Sequence, residues 1–117
     1  MSTESARAGL PASVPLADAA FNAARTGLAV VALTRRPELL PLALDDRLHQ
    51  DQRLSRLPAA RELFDRVREA GFPVCLAGSG PSLLVFERDD RRAPDPGAGW
   101  QAMRLGVDGE GASVMEG

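Results

Sequence analysis

Apolar residues recur at helical spacing through the first third of the chain. Phe21, Ala24, Leu28 and Val31 fall at i, i+3, i+7 and i+10, which predicts one apolar face of a helix. Ser13 is the expected cap, Pro15 suits the first turn, and Pro37 ends the element near Arg36, because it disfavours helical backbone in the residue before it. Asp18, Asn22 and Arg25 share another face, read as a solvated polar stripe. Upstream, Thr3 to Gly9 predicts a short helix, with Ser2 or Thr3 as cap, Glu4 in its first turn, and Gly9 with Pro11 as the stop.

Pro37 to about Leu44 predicts a third, short helix, and Asp45 to Leu57 is a polar segment of weak periodicity that holds the lone His49. Pro58 opens the strongest pattern. Ala60, Leu63, Phe64, Val67 and Ala70 line one face, charged residues fill the other, Glu62 and Arg66 are spaced to pair, and Gly71 marks the end. Then the period changes. Val74-Cys75-Leu76 and Leu83-Leu84-Val85-Phe86 are short apolar runs joined by Gly78-Ser79-Gly80-Pro81, which predicts an antiparallel hairpin. Asp89 to Gly99 is a charged, proline- and glycine-rich loop. Trp100 to Val107 alternates and predicts a third strand, and Ala112 to Met115 a short last one. Helices followed by a small antiparallel sheet make an α+β layer arrangement, expected as one domain over residues 1–117.

Composition narrows the chemistry. All 14 basic residues are arginine, so neither a lysine Schiff base nor a P-loop lysine can come from these residues. Cys75 is the single cysteine, so no internal disulfide forms, which fits a reducing, cytoplasmic setting. A net charge of −2 gives no reason to expect nucleic acid or an acidic membrane as partner. The longest apolar run, Gly27 to Leu33, is far shorter than the roughly 20 residues of a membrane span. No histidine lies near Ser79 in sequence and His49 alone gives no triad, so Ser79 is not read as a catalytic serine and His49 is read as a plain surface or interface histidine.

Four segments then carry a resemblance. AGSGPSLLVF (Ala77 to Phe86) resembles the third signature motif of the GHMP small-molecule kinases. TESARAGLP (Thr3 to Pro11) fits the T-x-x-A-R-x-x-L-P pattern of the homoserine kinases within that family. VPLADAAFNAARTGLAVVAL (Val14 to Leu33) is similar to the helix that follows, and DRLHQDQRLSRLP (Asp46 to Pro58) to the segment that carries a substrate-binding arginine. The order of the four segments makes the match specific. Together they cover nearly the whole chain.

The resemblance implies a GHMP-kinase C-terminal domain, a ferredoxin-like helix layer on a small antiparallel sheet, here without the strand that precedes Thr3 in the family. It implies ATP-dependent phosphorylation of L-homoserine in threonine biosynthesis. Arg7 and Arg53 correspond to the arginines that grip the substrate carboxylate, a task suited to a planar, permanently charged fork. Thr3 corresponds to a hydroxyl on the same wall. Gly78, Ser79 and Gly80, with Ser82 beside them, correspond to the loop that helps shape the phosphate site. Gln50 and Asp51 stand where the family often has glutamate and proline. The family's ATP-binding motif, P-x-x-x-G-L-G-S-S-A, does not occur in the chain. ATP and magnesium therefore belong to the full-length family, and neither is expected to bind this chain alone. The chain is expected to be a C-terminal fragment or split-gene product, inactive without a separately encoded N-terminal domain, and open to homodimerisation through the exposed sheet edge. A non-enzymatic amino-acid- or partner-binding module and a decayed remnant are the alternatives.

Overall fold

The helix that begins at Pro58 organises the molecule. The computed structural model describes residues 3–112 and 114, without the side chains of Thr3 and Ser5. Its elements are α1 (Thr3–Ala8), α2 (Leu16–Thr34), a 3-10 turn (Pro37–Leu39), α3 (Leu40–Ala43), α4 (Gln50–Leu54), α5 (Pro58–Glu69), β1 (Val74–Leu76) and β2 (Leu83–Val85). α5 lays Ala60, Leu63, Phe64 and Val67 against Val74 and Leu76 of β1, with Leu54 and Phe72 closing the core. This is the face that the apolar spacing predicts. Each such side chain contributes about 1.5–3 kcal/mol on burial. Gly71, at φ +84°, ends the helix in a conformation that favours glycine.

β1 and β2 pair antiparallel with Val74 opposite Val85, Cys75 opposite Leu84 and Leu76 opposite Leu83. The helix layer on a small antiparallel sheet is the expected α+β arrangement, but among the described residues the sheet has two strands. Residues 100–107 form no strand. Met103, Leu105 and Val107 alternate as expected but are exposed, because alternation supplies a face and not a ladder partner. The segment is held instead by Arg104, whose Nε donates to Glu87 at 3.1 Å. The strand expected at Ala112 to Met115 falls partly outside the described residues, and Ala112 and Val114 are not in a strand.

A second, smaller core corrects the reading of α2. Ala32, Leu40 and Ala43 are buried, with Leu28, Ala29, Leu39 and Phe86 packed around them. The buried stripe therefore runs through Leu28 and Ala32, and Val31 is exposed. The small Ala32 lets α3 approach closely. Pro15, not Ser13, precedes the helix, and its carbonyl accepts from Asp18 and Ala19. The polar stripe is a packing surface rather than a solvated one. Asn22 Nδ2 donates to Asp46 at 2.7 Å, and Asn22 Oδ1 accepts from the Arg47 backbone at 2.9 Å. Asp18 lies 3.5 Å from the Arg47 guanidinium. Arg25 and Arg47 both stack on the ring of Phe21, at 4.2 and 3.8 Å from its centroid. By length and composition α2 is also long and apolar enough to cross a membrane, which no single apolar run in the sequence indicated.

Candidate functional site

The site is assembled by a helix that the weak periodicity of 45–57 concealed. Asp46 braces the turn that leads into α4. Its carboxylate accepts backbone N–H bonds from Leu48, His49 and Gln50 at 3.0, 2.7 and 2.8 Å, and satisfies donors that open a helix. Burial raises the Asp46 pKa, but the bonds from Gln50 and His49, the Asn22 amide and the nearby His49 outweigh it, and the net direction is down. His49 Nε2 lies 3.2 Å from the Asp46 carboxylate, and with its side chain 40% exposed this histidine stays at the surface beside the cap.

Gln50 then fixes α4 to the sheet. It is 7% exposed, and its Oε1 accepts the Leu76 backbone N–H at 2.9 Å. One turn further on, Arg53 emerges beside the loop that leaves β1. Its Nη1 donates to the Gly78 carbonyl at 2.8 Å. Its Nε is buried and has no acceptor among the described residues. Two of the groups that the resemblance singled out, the second arginine and the glycine loop, are thus in direct contact.

The loop itself is a tight turn with a second property. Ala77 N–H donates to the Ser82 carbonyl at 2.8 Å and Gly80 N–H to Ala77 at 3.2 Å. Among the described residues the N–H groups of Gly78 and Ser79 have no acceptor. The two glycines differ in what they require. Gly78, at φ +62°, faces open space. Gly80, at φ +81°, lies where a Cβ would come within 2.7 Å of Leu57 and 3.0 Å of Leu76. Gly80 therefore lets α5's entry and β1 close over the loop, and Gly78 leaves a backbone surface accessible. Ser79 is half-buried and Ser82 exposed.

α1 borders the same region. Ala6, Gly9 and Leu10 line a small crevice with Gln52, Arg53 and Arg56. Ala6 is 3% exposed, which seats α1 there. Arg7 is exposed and does not line the crevice. Thr3 lies in the first turn of α1, and its side chain is outside the described residues. The structure thus joins Arg53 to Gly78 and brings the segment that carries Arg7 alongside, without placing the Arg7 guanidinium in the crevice. An unbonded pair of N–H groups beside an arginine suits an anionic oxygen, such as that of a phosphate or carboxylate. No cluster of three His, Cys, Asp or Glu that could hold a metal ion occurs among the described residues.

Sequence reasoning missed Asp46 and Gln50, the residues that hold Arg53 in place. Asp46 had a legible signal, an aspartate shortly before a helix start. Gln50 was noted only as a departure from the family's glutamate, and its role was hidden because its partner is a backbone N–H twenty-six positions away.

No protein-family model matches the chain. Curated relatives do. A homoserine kinase of Streptomyces avermitilis is 48% identical over 116 residues, which is 97% of this chain and 38% of that protein. A homoserine kinase of Streptomyces coelicolor is 45% identical over the same shares. One from Clavibacter michiganensis is 42% identical over 98% of this chain and 39% of its own length. The chain thus spans about two fifths of the length of the curated relatives it matches. Among solved structures, a homoserine kinase from Cytophaga hutchinsonii superposes with a TM-score of 0.66 over 73% of this chain and 28% of that one. Its identity of 24% makes it a likeness of fold.

Proposed function

Since the chain belongs to the homoserine kinases, matching the C-terminal part of its bacterial relatives, we propose that it forms the acceptor-substrate side of a cytoplasmic enzyme that phosphorylates L-homoserine in threonine biosynthesis. The observation that carries this reading is the bond from Arg53 to the Gly78 carbonyl, which ties a carboxylate-binding side chain to an anion-facing loop. Arg53 grips the substrate carboxylate through the part of its guanidinium that the loop leaves free. The resemblance assigns Arg7 and Thr3 to the same wall, with Arg7 exposed outside the crevice. The free N–H groups of Gly78 and Ser79, with Gly80 shaping the turn and Ser82 at its far end, face a phosphate oxygen. ATP supplies the phosphoryl group. The residues that bind it and its magnesium belong to the section of the relatives outside the match, so this chain alone is inactive.

The test compares two proteins. The 117-residue chain, given ATP, magnesium and L-homoserine in a coupled assay for ADP, shows no turnover above a no-protein control. A hybrid in which the chain replaces the matching section of the Streptomyces avermitilis enzyme turns over. A soluble, folded hybrid without homoserine-dependent ADP release would remove the proposed function. Turnover by the chain alone would remove its inactivity.

A further inference from the structure

The side of α2 turned away from the body carries no charge from end to end. Leu16, Ala20, Ala23, Gly27 and Val30 follow one another at alternating spacings of four and three, the heptad seam of one helix packed along another. All five are exposed, Leu16 at 85% and Val30 at 61%. The middle of the seam is made of small residues, and a Cβ built on Gly27 would meet nothing within 4 Å. Small residues there let a second backbone come close, and from Leu16 to Val30 the seam is about 21 Å long.

We propose that this seam is a docking face for a helix from the polypeptide that homoserine kinases carry beyond the matched section. The proposal rests on the family reading above. The relatives extend well past the match, which takes up 38% of their length, so such an enzyme carries further polypeptide that could cover this face. The seam offers it an exposed, uncharged face. A bilayer is a poorer occupant, because the opposite side of the same helix carries Asp18 and Arg25 in polar contacts. A second copy is the competing occupant.

The test uses Val30→Cys in a Cys75→Ser background, in the isolated chain and in the hybrid. The thiol reacts with a maleimide at the rate of an exposed cysteine in the isolated chain and at least tenfold more slowly in the hybrid, and Glu69→Cys on α5 reacts equally in both. Equal Val30→Cys rates overturn the proposal. So does protection already present in the isolated chain together with a dimer mass in sedimentation, which assigns the seam to a second copy. As an independent variant, Val30→Arg leaves the melting curve of the isolated chain in place and lowers that of the hybrid by 5 °C or more. An equal effect on both overturns the proposal. Homoserine turnover by the hybrid reports on function separately: turnover with a fast-reacting Val30→Cys keeps the function and removes the docking face.

Discussion

Arg53 and Gly78 are separated by twenty-five positions in the chain and joined by one hydrogen bond of 2.8 Å. The bond uses a single Nη1 donor of a side chain that has five N–H groups. The glycine carbonyl therefore orients the guanidinium and leaves most of its fork for something else. Arg53→Ala in the hybrid should raise the homoserine KM with a smaller change in kcat, at about 1.5–3 kcal/mol for a lost charged hydrogen bond. Arg53→Lys keeps the charge and loses the planar fork, and should recover only part of the loss. Steady-state kinetics with homoserine varied decide this, and unchanged KM in both variants would end the assignment of Arg53.

The two loop glycines should separate in a stability measurement. Gly80→Ala adds a methyl group against Leu57 and Leu76 and forces a positive φ on alanine. Gly78→Ala meets only the conformational penalty, about 1–2 kcal/mol. Urea unfolding of the isolated chain should rank Gly80→Ala as clearly the more damaging.

Asp46 predicts an acid limb. Its folded pKa lies below the ordinary value of 3.8. The carboxylate's contribution is therefore fully present above that value and is lost as pH falls through the lower folded value. Asp46→Asn should lower stability near neutrality and flatten the decline between about pH 5 and pH 2. Denaturant midpoints collected across that range for both proteins test the sign.

Phe64 is 2% exposed at the centre of the larger core. Phe64→Ala should cost about 3–5 kcal/mol, enough to unfold a domain of ordinary marginal stability. Loss of the cooperative melting transition is the expected result.

What could be read before folding was whatever depends on neighbours in the chain. α5 was legible because Leu63, Phe64 and Val67 repeat at helical spacing, and the hairpin because Gly78 to Pro81 interrupts two apolar runs. On α2 the predicted face held at Leu28 but continues at Ala32 and not at Val31, because both are apolar and the packing of α3 decides between them. Residues 100–107 have the pattern of a strand but no partner ladder. The expected Glu62–Arg66 pair yielded to tertiary acceptors. Arg66 donates to the carbonyls of Asp95 and Pro96 at 3.1 and 2.7 Å, and the i,i+4 ion pair among the described residues is Arg61–Asp65. At the site, the motif located Arg53 and the loop. Of the two residues that make them meet, Asp46 acts on its own neighbours and was legible in principle, whereas Gln50 acts on a backbone N–H twenty-six positions away that no spacing encodes.

The amide of Gln50 makes the sheet a one-way template. By accepting the outward N–H of Leu76, it occupies the flank of β1 with a side chain that can propagate no ladder. On β2 the outward N–H groups of Leu83 and Val85 have no acceptor among the described residues. At the level of Leu76 a joining strand must therefore add beyond β2, on the side away from α4. A single buried glutamine thus sets the polarity of growth, and keeps the flank beside Arg53 clear of incoming backbone.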